Sequence, residues 1–449
     1  MALLAVAPLF LFPFCSADAV ASVLLWLSLL VSLWVAMSPS CRPGEMPHDA
    51  RARLSGEIVR DPLTWVLLLA VAFAGLRALN DGIGLAYDAE TMAWSIKPPL
   101  VDIFSGSVPG RGFLPFAVSV AVLVMLTGTR HCLDPDSSIA FFVAASAFAG
   151  LAAIVSAIAL SYGNARTLEM VACSYESPSF AGTAYGLHMI GGVVALFCSA
   201  AAGWRRAEPF AAFGLVCSAV GLEIFSPPAT FAVFAIAFLL MLVAAFPLMK
   251  SRFAGSASFR CAMAVAMVFA AVAIVAMFGD SCGALLEKRD ALLGFKLFPD
   301  GFASSRDALS GIALKSWRQS PWLGSGLGSF PIDVRFCATQ ADWLLISPRQ
   351  DAPLSCWWQL LAERGIVGTV VIAIGAGFLA WTYFAALARS FGGERWTPAC
   401  IAGPFSAAAL VALAFVDCSL LRPDVILPAV AVLALSAVAF RRCGRGQGT

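Results

Sequence analysis

The sequence predicts an all-α, polytopic integral membrane protein with about twelve spans and one long hydrophilic segment late in the chain. Three observations predict it. First, 60% of the residues are hydrophobic and only 12% are charged, whereas a soluble globular domain carries about 25% charged residues. Second, apolar runs recur along the chain at close to the ~20 residues that a helix needs to cross a bilayer. Third, lysine and arginine gather on alternate connections between those runs, as expected of a chain threaded back and forth through a membrane.

Taken in order, the runs lie at 2–16, 18–37, 62–79, 113–128, 139–160, 181–202, 209–226, 229–248, 261–279, 364–387, 398–416 and 424–440. The opening "MALLAVAPLFLFPFCSADAVA" has the apolar core of a signal peptide but no basic start, so it reads as a short first pass. Pro227-Pro228 separates two of the later runs. No repeat of 20–50 residues is visible, and no matched pair of Gly/Pro-broken helices points to an inverted-repeat transporter. The organisation is one membrane domain, 1–449, with the segment 280–355 inserted between spans.

With both termini in the cytoplasm, the inner connections hold Arg51, Arg53, Arg205, Arg206, Lys250, Arg441 and Arg442 among others. The short outer connections hold few cations, Arg166 and Arg422 among them. Two long outer loops remain, about 80–112 and 280–355, and long loops follow the charge rule poorly. The hydrophilic segment 280–355 is thus extracytoplasmic.

The net charge of +2, with no basic run, excludes a nucleic-acid partner. The 13 cysteines form no CxxC and no Cys/His spacing for zinc, so no metal and no cofactor is expected. Cys282, Cys337 and Cys356 fall in or beside the outer segment, where two of them form either a disulfide or free thiols. The "DPD" at Asp134–Asp136 resembles a metal-binding DxD, but no nucleotide domain surrounds it and His131 beside it adds no metal site. It reads as a solvated inner turn.

Chemistry concentrates in "SSRDALSGIALKSWRQSPWLGSGLGSF", Ser304–Phe330. Ser304-x-x-Asp307 reads as a capping box opening a helix, with Leu309, Ile312, Ala313, Ser316 and Trp317 at helical spacing. Pro321 ends that helix near Ser320, because the residue before proline avoids the α region. Arg306 then falls in the first turn, where the helix dipole disfavours a cation unless an anion partners it. Gly324, Gly326 and Gly328 alternate in the following turn. They permit positive φ and close backbone approach, and make either an anion-binding nest or a tight re-entrant turn. Beyond, "SPRQDAPLSCWWQLLAERGIVG" carries Trp357 and Trp358 for an interfacial belt. It also holds Glu363 beside Arg364, read as an interfacial charge pair.

In this order, the pieces resemble the O-antigen ligase and polymerase family. The matching residues are Arg306, Pro321, Gly324, Gly326, Gly328 and Phe330, followed by Gln359–Gly368. "SPSFAGTAYGLHM" is similar to the family's helix start near the outer face. The resemblance implies a GT-C-type membrane glycosyltransferase of the bacterial inner membrane, inverting and metal-independent. The donor it implies is a polyprenyl-diphosphate-linked saccharide, and the acceptor a hydroxyl of a glycan or lipid among the membrane lipids. Arginines would clamp the departing diphosphate, and a base near the acceptor hydroxyl would assist.

Two positions depart from the family pattern. Leu354 stands where the family has a histidine, and the only histidines are His48, His131 and His188. Pro227, in "FSPPATF", stands where many members present another arginine. Arg306 is then the one matched cation, with Lys315, Arg335 and Arg349 as replacement clamps. Asp351 or Glu223 is the replacement base, Glu223 being a carboxylate inside a span or at its outer edge. The alternatives are a non-catalytic scaffold of surface-glycan assembly and a transporter or flippase.

Overall fold

The computed structural model describes residues 23, 25–30, 47–79, 84–88, 93–97, 112–132, 135–162, 179–201, 206–226, 228–253, 302–346, 353, 355–391, 399–416, 418–421 and 425–434. In chain order they form α1 (Pro47–Arg60), α2 (Pro62–Leu79), the strands β1 (Gly84–Asp88) and β2 (Ala93–Lys97), α3 (Phe113–Cys132), α4 (Pro135–Tyr162), α5 (Ser179–Ala201), α6 (Glu208–Phe225) and α7 (Pro228–Phe253). Then follow α8 (Phe302–Gln319), α9 (Phe330–Cys337), α10 (Gln340–Leu345), α11 (Cys356–Phe391), α12 (Ala399–Val416), a 3-10 turn at Ser419–Leu421 and α13 (Val425–Ala434). The architecture is all-α apart from one antiparallel hairpin, in which Gly84 pairs with Lys97 and Tyr87 with Trp94. That hairpin lies within the predicted loop 80–112. The predicted runs 2–16 and 261–279, and most of 18–37, lie outside the described residues.

The core is built around α5, which packs on α4, α6, α7 and α12 and is buried along its middle turns. Its sequence explains why. "SFAGTAYGLHMIGG" places small residues on several faces at once. A Cβ on Gly186 would sit 2.4 Å from the Phe234 ring of α7, and one on Gly214 of α6 would sit 2.1 Å from the Ser146 carbonyl of α4. Backbones therefore meet directly, the mode helices use in lipid, where the hydrophobic effect does not drive their association. The break between α6 and α7 falls where the two prolines predict it. Ser226, just before Pro227, is extended at φ −98°, ψ 144°.

Among the described residues, one helix is long and apolar enough to cross a membrane: Cys356–Ala385, within α11. Its outward side chains are apolar, Trp381 being 71% exposed. Val243 of α7 and Phe415 of α12 are likewise bare.

The stretch 302–346 is a folded unit. Leu309, Ile312, Ala313, Phe330, Val334 and Ile346 form a small core that closes on Ala362 of α11. The predicted heptad-like face of α8 is the buried one. The helix begins at Phe302, two residues before the predicted cap, and Ser305 is buried inside it. Ser304 is thus no N-cap, and Arg306 stands at the fifth helical position. The C-terminal end, at Gln319, is as the proline requires.

Candidate functional site

The site grows from a break in α11. Gly365 has φ 62° and ψ −168°, which interrupts the helix and frees backbone groups on both sides. Those groups need partners wherever water is scarce, and the glycine turn supplies them. Ser325 N–H donates to the Ala362 carbonyl at 2.8 Å and Gly326 N–H to the Glu363 carbonyl at 3.0 Å. In return, Ile366 N–H donates to the Pro321 carbonyl at 2.9 Å and Val367 N–H to the Trp322 carbonyl at 3.1 Å.

The turn reaches the break because Gly324, Gly326 and Gly328 all hold positive φ, at 71°, 126° and 68°. A Cβ on Gly324 would lie 2.5 Å from the Gly365 nitrogen, and one on Gly365 would lie 2.3 Å from the Trp322 carbonyl oxygen. The glycines thus serve backbone-to-backbone contact. Their amides are already engaged: Gly324 N–H donates to the Ser320 carbonyl and Gly328 N–H to the Glu363 carboxylate. This is the re-entrant turn of the two sequence readings, and the anion nest is not formed.

Beside the turn stand two arginines. Helix α2 runs antiparallel to α11 in a register set by glycines. Val66 lies under Gly375 at 3.4 Å from where its Cβ would be, and Phe73 presses on Gly368 at 2.8 Å. One turn further along both helices, the same register brings Arg77 towards Arg364, and the two guanidiniums repel. Arg77 is fully buried. Its Nη2 donates to the Gly324 carbonyl at 3.0 Å, while its Nε and Nη1 have no hydrogen-bond partner among the described residues, nor has Nε of Arg364. Arg364 is half-buried and has Glu363 as an opposite charge, so Arg77 is the buried cation left short of acceptors, which is costly unless an anion joins it.

The hydrogen bonds of the nearby carboxylates go elsewhere, although Glu363 also attracts Arg364. Glu363 is buried and accepts from Gln359 Nε2 at 3.0 Å and from the backbone N–H groups of Gly328 and Phe330 at the head of α9. Glu363 thus braces the turn, as carboxylates do at helix N-termini, while its charge also attracts the neighbouring Arg364, as the charge-pair reading has it. Asp333 gathers the hydroxyls of Ser316 at 2.8 Å, Ser329 at 3.2 Å and Ser325. Burial pushes its carboxyl above the ordinary range, against the pull of those three donors. Asp342 is held below it, first by the Thr339 backbone N–H, with the Lys315 ammonium at 3.1 Å also contributing.

The sequence-predicted residues divide as follows. Gly324, Gly326 and Gly328 form the turn. Lys315 is paired with Asp342 and turned to solvent, and Arg335 is exposed on α9. Glu223 is exposed near the end of α6. Arg306 is on α8, and its side chain, like all of Arg349, Asp351 and Cys282, lies outside the described residues. Cys337 and Cys356 are not disulfide-bonded to each other, so of the two readings the disulfide does not hold for that pair. His188 is buried within α5.

Arg77 and Arg364 were missed as a pair. The signal for Arg77 was in plain view, since an arginine inside an apolar run is a functional candidate. Its meeting with Arg364 depends on the α2–α11 register, which no local pattern reports. A scan against protein-family models finds no match, and a search of curated proteins finds none either.

Proposed function

We propose that the chain is a polytopic membrane glycosyltransferase of the O-antigen ligase or polymerase type, with about twelve spans and the 280–355 segment on the outer face of a bacterial inner membrane. The observation that carries the reading is the fully buried, under-partnered Arg77 bonded to the Gly324 carbonyl of the glycine turn, with Arg364 beside it. A polyprenyl diphosphate brings the negative charge that Arg77 lacks, and its tail requires a site beside lipid.

In the reaction, an acceptor hydroxyl oxygen attacks the anomeric carbon of the donor sugar. The bond from that carbon to the diphosphate oxygen breaks, and its electron pair leaves with the polyprenyl diphosphate. The hydroxyl proton passes to a base or to water, and the configuration inverts. Arg77 and Arg364 meet the charge that develops on the leaving group, in a dry place where such contacts weigh most. Arg306, at the fifth position of α8, is the further cation implied by the family resemblance. The lack of histidine in 280–355 favours one second reading, a scaffold of surface-glycan assembly that binds the donor without turning it over.

The test is a reconstituted transfer assay with a polyprenyl-diphosphate-linked saccharide, beside a surface-glycan gel of cells lacking the chain. Arg77→Ala and Arg364→Ala should each lower turnover by about 10²–10³-fold, the usual loss when one transition-state donor is removed. Retained donor binding with no turnover in the wild type would favour the scaffold. Full activity in both variants would remove the site from the mechanism.

A further inference from the structure

The outer segment ends in an apolar face that its own core does not use. α9 and α10 turn one side inward, through Phe330, Val334 and the following Ile346. On the other side Phe336 and Leu344 are 84% and 86% exposed, with Trp343 and Leu345 also bare. Isolated apolar side chains at a surface need no explanation, but Phe336 and Leu344, the barest of these, stand on consecutive helices of one small unit with Trp343 and Leu345 flanking Leu344, a concentration of apolar surface of the kind that marks contacts.

The face is braced. Thr339 and Asp342 cap α10 reciprocally, Lys315 of α8 holds Asp342 at 3.1 Å, and Gln319 Nε2 donates to Cys337 Sγ at 3.7 Å. These side chains are therefore presented on a platform fixed to α8.

The surroundings indicate what covers it. The segment is stitched to α11 through Pro321 and Trp322, and Trp322 is itself exposed beside Val367. From there the bare apolar surface runs on along α11 through Val370, Ile374 and Trp381, on the helix long enough to cross a membrane. Arg318 and Arg335 are exposed on α8 and α9, the cations such a face presents to lipid phosphates.

The geometry points to the bilayer as the occupant. α9 and α10 lie along the outer leaflet with Phe336, Trp343, Leu344 and Leu345 sunk to the headgroup–acyl boundary. This holds the glycine turn and the Arg77–Arg364 pair at headgroup depth, where a lipid-borne diphosphate resides. The inference rests on α11 being a span and does not depend on the transfer chemistry.

A photo-crosslinking benzophenone amino acid, placed singly in the full chain, tests it. The three positions are Leu344 on the patch, Trp381 on the span, and Gly311, which is exposed on α8 with open space around it. Each protein is reconstituted in phosphatidylethanolamine–phosphatidylglycerol vesicles, irradiated and read by mass spectrometry. Lipid adducts are expected at 344 and 381, each at least about tenfold above the background at 311. Lipid at 381 with none at 344, or a crosslink from 344 to another part of the chain or to a second copy, overturns the docking while leaving the span intact. No lipid at 381 overturns the span, and the docking with it.

Discussion

Helix α2 carries charge at both ends, and the two ends are finished in opposite ways. At its start, Asp61 Oδ1 accepts the Leu63 N–H at 3.2 Å and Oδ2 meets His131 Nε2 at 3.2 Å. One turn earlier, Arg53 pairs with Glu57 at 3.2 Å, with His131 Nδ1 3.8 Å from the same carboxylate. Each of these side chains has a hydrogen-bond or ion-pair partner within the chain. At the other end Arg77 is buried, gives one hydrogen bond to a carbonyl, and faces another arginine. The first end is complete in itself and reads as structure. The second has more positive charge than acceptors, an arrangement that persists when something outside the chain completes it.

The largest effect expected is at the backbone that builds the incomplete end. Gly365→Ala must place a side chain at φ 62°, with its Cβ 2.3 Å from the Trp322 carbonyl oxygen and 2.5 Å from the Gly324 nitrogen. A backbone at φ 62°, ψ −168° is essentially reserved for glycine and costs another residue about 1–3 kcal/mol, and the clash is with backbone, which cannot swing aside. The four cross-links between turn and helix should be lost together. The check is limited proteolysis of 302–346 in detergent, with wild-type resistance expected to vanish. The Asp61 end should be untouched, so a His131–Asp61 contact probe should read as in the wild type.

Next in size is Arg77→Met, which breaks the comparison directly. Replacing an under-paired buried charge with an apolar side chain of similar length removes its desolvation cost and its repulsion by Arg364, against the loss of one hydrogen bond to the Gly324 carbonyl. Thermal unfolding in detergent should therefore rise or hold without added anion. Inorganic diphosphate should raise Tm of the wild type and leave the variant unmoved, since only a state that binds the anion is stabilised by it. At the complete end, His131→Gln should keep the full diphosphate response. A variant at Arg77 that unfolds early and still responds to diphosphate would make Arg77 a structural residue.

How far the sequence foretold this depends on the range of the interaction. The end of α8 at Pro321, the break at Pro227-Pro228 and the positive φ of all three turn glycines were legible, because each is decided by a residue and its chain neighbours. The start of α8 was not. A serine pair with an aspartate three residues on looks like a cap, but Phe302 and Ala303 extend the helix behind it. Glu363 and Arg364 looked like partners because they are adjacent. They do attract each other, but on a helix adjacent residues point about 100° apart, and what adjacency could not report is the rest: the bonds of Glu363 to the head of α9 and the place of Arg364 beside α2. The break at Gly365 was hidden inside "ERGIVG", where one glycine in a helical run carries little information. The hairpin at 84–97 was likewise unread, within a loop assigned by hydropathy alone.

The smallest effect expected contrasts two acids of the outer segment. Asp333, buried among Ser316, Ser325 and Ser329, has its carboxyl raised by that burial. A carboxyl raised in the folded state binds its proton more tightly there than in the unfolded chain. Ionisation therefore costs stability, and that contribution falls as pH climbs from the ordinary carboxylate value of about 4 through the raised one. Asp342 is lowered, first by the Thr339 N–H. Its stabilisation is present above about 4 and is lost as pH falls through the lowered value. Asp333→Asn and Asp342→Asn should thus give difference profiles of opposite slope against the wild type in unfolding measured from pH 3 to 7. The Asp342 effect should be the weaker, because its pair with Lys315 is open to water and such pairs are worth little. The contrast repeats, within one small unit, what the two ends of α2 show. A carboxylate with charged and amide partners at the surface adds a little stability, while one buried among neutral hydroxyls holds its neighbours in place at a cost. If both slopes had the same sign, the serine cluster would be stabilising the Asp333 anion more than burial disfavours it, and Asp333 would join the complete end of the comparison.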